Sequence, residues 1–131
     1  MHDRGIPIGI AVVECGGRYL VGIRGDGGPL PGYAEFPGGK CRPGEPPAEC
    51  ACRECLEETG LRVAAETLLL RRTFAYPHGT VDLHFWLCRL ENRDAAEAHR
   101  GFRWIPATEL VSFKFPEANE PVLRMLAGAA R

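Results

Sequence analysis

Lysine is scarce in this chain, with two against fourteen arginines, the formal net charge is only −1, and no block of consecutive basic residues occurs. A protein that grips polymeric DNA or RNA by displacing counterions needs such a block. Neither polymer is therefore expected as a partner. Long apolar runs are lacking as well: nothing approaches the roughly eighteen apolar residues of a membrane-spanning helix. The opening residues, Met1-His2-Asp3-Arg4, lead into a strand-like pattern instead of the apolar core of a signal peptide. A soluble cytoplasmic protein with no membrane contact is the expectation. Zinc-site spacing is missing too, because Cys52-x-x-Cys55 has no second pair, and His78 and His84 lie in another segment. The six cysteines, Cys15, Cys41, Cys50, Cys52, Cys55 and Cys88, crowd three of their number into one short stretch. Such crowding denies them distant partners, so they read as reduced thiols and not as a disulfide framework.

What is present suits one domain spanning residues 1–131, since 45% apolar content over 131 residues is enough for a core, and no repeat or linker interrupts it. Ile6, Ile8, Ile10 and Val12 alternate with smaller residues, and Gly16-Gly17 separates them from Tyr19 to Ile23, a strand, a tight turn and a second strand. Residues 25–32, rich in glycine and proline, form a surface loop of the kind that closes over ligands. A helix is predicted from Pro46-Pro47 to Gly60, with a core stripe of Ala48, Ala51, Cys52, Cys55 and Thr59. Leu68 to Tyr76 and Thr80 to Leu90 make a second hairpin about Pro77-His78-Gly79, with Val81, Leu83, Phe85 and Leu87 on one face. Phe102 to Ile105 is a short strand, and Asn119 to Ala130 a closing helix with Val122, Leu123 and Leu126 inward. This mixture predicts an α+β fold, an α/β/α sandwich in which a mixed sheet is flanked by helices.

Glu54, Glu57 and Glu58 stand at i, i+3 and i+4 of the first helix, where they share an arc of roughly 100°. Like charges at that spacing repel, and they sit near the helix C-terminus, whose dipole favours cations. A divalent cation reverses the penalty, because clustered carboxylate oxygens are what Mg²⁺ or Mn²⁺ binds. The plain alternative is a solvated acidic face tethered by Arg53 and Arg62.

The flanking residues narrow the choice. Gly39, five residues, Glu45, seven residues, then Arg53-Glu54-Cys55-Leu56-Glu57-Glu58-Thr59-Gly60-Leu61 resembles the full Nudix box. Cys55 stands where an aliphatic residue is usual, and a small buried thiol fills the same space. Glu35-Phe36-Pro37-Gly38-Gly39-Lys40 and Phe115-Pro116-Glu117-Ala118-Asn119-Glu120-Pro121 are similar to segments of the MutT type of that family. The resemblance implies the Nudix fold and a Mg²⁺-dependent hydrolase, with Mn²⁺ as a substitute, that acts on a small nucleoside triphosphate as a monomer or homodimer. It also implies Glu54, Glu57, Glu58 and the Gly39 carbonyl as metal ligands, with Arg53 holding the glutamates in place. Arg24, Glu35, Phe36, Pro37, Gly38, Lys40 and Asn119 become the substrate-binding residues. A guanidinium fork suits phosphate oxygens, and glycines at 38 and 39 allow close backbone approach.

By that resemblance, water attacks the β-phosphorus and releases a nucleoside monophosphate and diphosphate. The carboxylate that MutT-like enzymes place before a late-strand tryptophan is absent here: Phe102-Arg103 precede Trp104, with Arg100 slightly earlier. Glu54, Glu97 and Asp82 are left as alternative general bases. The side-chain amide of Asn119 offers a donor and an acceptor together, which matches N7–H and O6 of 8-oxoguanine and mismatches guanine. Asn119 followed by Glu120-Pro121 also reads as a helix N-cap. A pyrophosphatase for CTP, dCTP or another nucleoside diphosphate derivative, a nucleotide-binding module without catalysis, and a cysteine-based metal or redox protein are the competing readings.

Overall fold

A computed structural model describes residues 4–28, 30–98 and 100–129. The opening hairpin is β1 (Ile6–Cys15) and β2 (Arg18–Ile23). Gly16 and Gly17 join them at φ 58° and 81°, the paired left-handed turn whose twist matches that of the strands. Residues 34–40, which no alternation marks, form two short strands, β3 (Ala34–Glu35) and β4 (Gly38–Lys40). Helix α1 (Pro47–Thr59) starts on prolines and stops at Gly60, whose φ of 79° lets its N–H reach the Leu56 carbonyl. The second hairpin is β5 (Val63–Tyr76) and β6 (Gly79–Leu90). β5 begins at Val63, ahead of the expected Leu68, because irregularities between Ala65/Thr67 and Leu68/Leu70 break its alternation. β7 (Phe102–Pro106) leads into two 3₁₀ turns, Ala107–Ser112 and Glu117–Asn119, and then α2 (Glu120–Ala129). Asn119 thus closes a 3₁₀ turn ahead of the last helix, and Ala130 falls outside the described residues.

β1 organises the sheet. Its first half lies between antiparallel β4 and parallel β6, and its end pairs with β2, which carries β3 and β7 on its flanks. Alternate residues of β1 enter separate cores: Val12 packs with Phe85, Val122 and Leu126, whereas Ala11 and Val13 pack with Ala51 and Cys55. The sheet therefore has α2 on one face and α1 on the other, the expected mixed sheet between helices. Val122 and Leu126 point inward as the sequence pattern requires, and each such burial stabilises by roughly 1.5–3 kcal/mol.

The seat of α1 is set by Gly9. A Cβ there would fall 2.6 Å from the Pro47 carbonyl oxygen and 2.7 Å from the Ala51 nitrogen, so only glycine lets the helix come so close. Ala51, Cys55 and Thr59 are buried as expected, Ala48 and Cys52 are half-buried, and Cys50 is fully buried. Cys50 is covered because α1 also rests on β4, where its thiol donates to the Gly39 carbonyl at 3.3 Å. Among the described residues no helix is long and apolar enough to cross a membrane.

Candidate active site

Arg53, in the middle of α1, ties the surrounding acids together. Its Nε and Nη2 donate to the two carboxylate oxygens of Glu45 at 2.7 and 2.9 Å, the bidentate fork that only arginine provides. Its Nη1 donates to Glu57 at 2.9 Å and Glu54 at 3.2 Å, and Nη2 also reaches the Lys40 carbonyl at 3.2 Å. Glu45 in turn accepts the Arg42 N–H, and the Arg53 guanidinium followed by that N–H holds its carboxyl down at about 2. The loop before α1 and the helix are thereby locked to one another.

Two of the three helix glutamates converge. Burial pushes the Glu58 carboxyl up to about 8; the Gly38 N–H, 3.4 Å away, opposes this, and the charges of Glu54 and Glu35 add to it. Glu58 lies close enough to Glu54 to feel its charge. Glu54 also presses on the β4 backbone, since a Cβ on Gly39 would lie 2.5 Å from its carboxyl carbon. Glu57 is more exposed and turns toward Arg53 and toward Arg42, 3.6 Å away. Among the described residues no three His, Cys, Asp or Glu side chains are gathered around one point, and Glu57 stands apart from the other two on Arg53 and Arg42. Two carboxyl groups that share one half-buried spot cannot both ionise without a counter-charge, and a hard divalent cation with oxygen ligands is the species that suits them. The donor set fits.

On the other side of β4 lies a cleft of about 520 Å³. Ile8 and Ile10 of β1 and Leu83 and Phe85 of β6 line it, with Gly38 and Gly39 at the edge that meets the acids. Arg24 and Glu35, joined at 3.4 Å, border the cleft as well. Arg24 also borders a hollow formed with Gly25, Gly27 and Gly28 of the glycine-rich loop, whose Pro29 lies outside the described residues. Phe36 is buried against Phe115, ring centroids 5.1 Å apart, and forms a wall. Pro37, grouped by resemblance with the substrate contacts, is fully buried, and its carbonyl accepts the Ala11 N–H at 2.8 Å. Its part is to hold β4 to β1. Lys40 is exposed. Asn119 also lines the cleft, where its amide nitrogen donates to the Pro116 carbonyl at 3.2 Å. Tyr76 and His78, from the turn of the second hairpin, stack beside it at 5.8 Å and give the cleft an aromatic edge. The lining strand residues were missed as well; their one signal was the apolar alternation of β1 and β6, which equally describes a closed core.

The NUDIX domain model matches residues 9–125. The chain belongs to the Nudix family. It is 34% identical over 93 residues to the 8-oxo-dGTP diphosphatase of Escherichia coli strain K12, covering 70% of this chain and 72% of that protein. To the 8-oxo-dGTP diphosphatase of Haemophilus influenzae it is 32% identical over 123 residues, covering 92% and 89%. The solution structure of the E. coli ORF135 protein superposes with a TM-score of 0.76 at 25% identity, covering 96% of this chain and 92% of that one. The protein is accordingly a Nudix hydrolase acting on phosphorus anhydrides, and such hydrolases generally need divalent metal ions.

The three alternative bases of this Nudix hydrolase are placed differently. Asp82 alternates with the cleft-lining Val81 and Leu83 and so points to the opposite face. There Arg71 holds both of its oxygens, at 3.0 and 2.9 Å, and His84 Nε2 lies 3.1 Å away. Glu97 is exposed on the β6–β7 connection. Arg103, where an acid was expected, lies over the Phe113 ring at 5.7 Å. Of the three, Glu54 is the carboxylate that stands at the junction of the acids and the cleft.

Proposed function

We propose that this Nudix hydrolase cleaves a nucleoside or deoxynucleoside triphosphate to the monophosphate and diphosphate with Mg²⁺, Mn²⁺ serving as a substitute, and that its substrate is 8-oxo-dGTP. The observation that carries this reading is one continuous arrangement: the Glu54–Glu58 pair meets, across Gly38 and Gly39, an apolar cleft edged by Asn119 and Tyr76. A base in the cleft and phosphates over the acids fit that arrangement end to end. The two relatives named above, from Escherichia coli and Haemophilus influenzae, are 8-oxo-dGTP diphosphatases, which supports the same substrate.

Glu54, Glu57 and Glu58, with the Gly39 carbonyl, would hold the ion, which when bound neutralises phosphate charge and polarises the phosphorus–oxygen bonds. The chain's own residues do the rest. Arg24 neutralises phosphate at the cleft edge, and Gly38 and Gly39 let the substrate lie against the backbone. Glu54 accepts the proton of the attacking water. The water oxygen bonds to the β-phosphorus, the bond from that phosphorus to the α–β bridging oxygen breaks, and the monophosphate leaves with the bridging oxygen. Asn119 reads the base: one amide N–H is given to Pro116, while the second N–H and the oxygen match O6 and N7–H of 8-oxoguanine. In guanine N7 accepts, so one contact is lost, worth about ten- to a hundredfold.

A panel of 8-oxo-dGTP, dGTP, CTP and dCTP with Mg²⁺ tests this. Hydrolysis of 8-oxo-dGTP at least about tenfold faster than dGTP is expected. Equal rates for those two would remove the base assignment, and preference for CTP or dCTP would transfer the activity to an ordinary pyrimidine triphosphate. The cytoplasm, which holds the nucleotide pool, is the proposed site of action.

A further inference from the structure

The β6–β7 connection, residues 91–101, carries a strained residue next to the acids. Arg100 has a φ of 58°, a left-handed conformation that a residue with a Cβ adopts only against a steric penalty, and Gly101 follows at 82°. The surrounding connection is fastened. Trp104 Nε1 donates to the Ala96 carbonyl at 2.7 Å, the Asn92 side chain accepts the Asp94 N–H at 3.0 Å, and Ala96 and Ala98 pack against the core beneath α1. The outcome of this arrangement is one contact: Arg100 Nη1 donates to the Glu57 carbonyl at 2.6 Å. That carbonyl belongs to the last turn of α1, whose final four carbonyls lack partners within the helix.

We infer that Arg100 binds the phosphate chain of the substrate, at the end that leaves as diphosphate. The inference rests on the triphosphate reading given above. If the base lies near Asn119 and the reacting phosphorus near Glu54 and Glu58, the outer phosphates run out of the cleft and along α1. Arg100, held on the Glu57 carbonyl, stands beside the last turn of α1. The cation already in the acid cluster is committed elsewhere, because Arg53 gives its donors to Glu45, Glu54, Glu57 and the Lys40 carbonyl. Arg24 lies at the cleft edge beside Glu35. Arg100 is exposed, and one of the five N–H groups of its guanidinium suffices for Glu57, which leaves a fork suited to phosphate oxygens.

Arg100→Gly and Arg100→Asn test this without forcing the backbone, since both residues tolerate a positive φ. For each variant and for Arg100→Lys, kcat and KM for the preferred triphosphate, inhibition by inorganic diphosphate, Mn²⁺ affinity and Tm are measured. The expected result is a KM raised about ten- to a hundredfold, with diphosphate inhibition weakened by the same factor and Mn²⁺ affinity and Tm unchanged. Arg100→Lys recovers part of the loss. Unaltered KM and diphosphate inhibition in Arg100→Gly, with an active wild type, would overturn the inference alone. So would a drop in kcat and Tm with diphosphate inhibition intact, which would make Arg100 a fastener of the connection. A wild-type protein that hydrolyses no triphosphate would remove the parent reading and this one together.

Discussion

Where α1 meets the sheet the contacts are made through small residues, Ala11, Cys50, Ala51 and Cys55, and the helix backbone rests directly on Gly9. Val13, Leu20, Leu61, Val63 and Leu90 fill the rest of that face. On the opposite face the packed residues are large, Phe36, Leu83 and Phe85, and between them and Asn119 they leave a cleft of about 520 Å³. Small residues and a glycine contact fix two backbones relative to each other, which is what a set of carboxylates needs if it is to meet a phosphate at defined distances. Large apolar side chains with a few polar groups at the rim suit the recognition of a flat base. On the proposed reading the chemistry belongs to the closely seated face and selectivity to the open one, with Gly38 and Gly39 as the seam between them.

The comparison is broken most severely at Glu58. Glu58→Gln keeps the shape and the Gly38 contact but removes the capacity to ionise beside a cation, and hydrolysis of any triphosphate with Mg²⁺ should fall about a thousandfold. Circular dichroism and Tm should show a protein as well folded as the wild type. Gly9→Ala attacks the seating of α1: the added Cβ meets helix backbone at 2.6 Å, so the strand or helix must shift. A loss of about 1–3 kcal/mol in denaturant unfolding is expected. An unchanged midpoint would show that the close approach is dispensable.

Asn119→Ala probes the open face. The rate ratio of 8-oxo-dGTP to dGTP should drop about tenfold while the rate on dGTP itself changes little. The smallest effect is at Asp82. The Arg71 hydrogen bonds, helped by His84, hold its carboxyl below the usual 3.8 in the folded protein. A lowered carboxylate pKa contributes stability that is present in full above 3.8 and is lost as pH falls through the lower folded value. Asp82→Asn should therefore be less stable than wild type at pH 7, with the gap closing on acidification below 3.8. A gap that stayed constant with pH would mean that packing alone accounts for the loss.

How much of this was legible in the sequence follows from how local each feature is. The α1 motif was readable because Arg53, Glu54, Glu57, Glu58 and Gly60 are set by one helical repeat, and the fork from Arg53 to Glu45 spans a single loop. The hairpin at Gly16-Gly17 was readable for the same reason. β3 and β4 were not, since two- and three-residue strands have no period and exist only through pairing with β2 and β1. The burial of Cys50 depends on β4 lying beside α1, and the need for glycine at Gly9 depends on where α1 lands; neither is encoded nearby. The cleft draws on β1, the stretch from Arg24 to Gly39, the β5–β6 hairpin and the segment before α2, so its walls emerge only when four distant stretches meet. Nor does the periodicity of α1 reveal that Glu57 turns to Arg42 while Glu54 and Glu58 pair, because that division is made by Gly38, Gly39 and Arg42.

The most direct test of the central claim, that the α1 acids seat a divalent cation beside the cleft, is a Mn²⁺ titration followed by water-proton relaxation. It is run on the wild-type protein and on Glu58→Gln. The account predicts saturable binding in the wild type, competed by Mg²⁺, and a loss of affinity of at least about tenfold in the variant. Equal binding by the two proteins would contradict it.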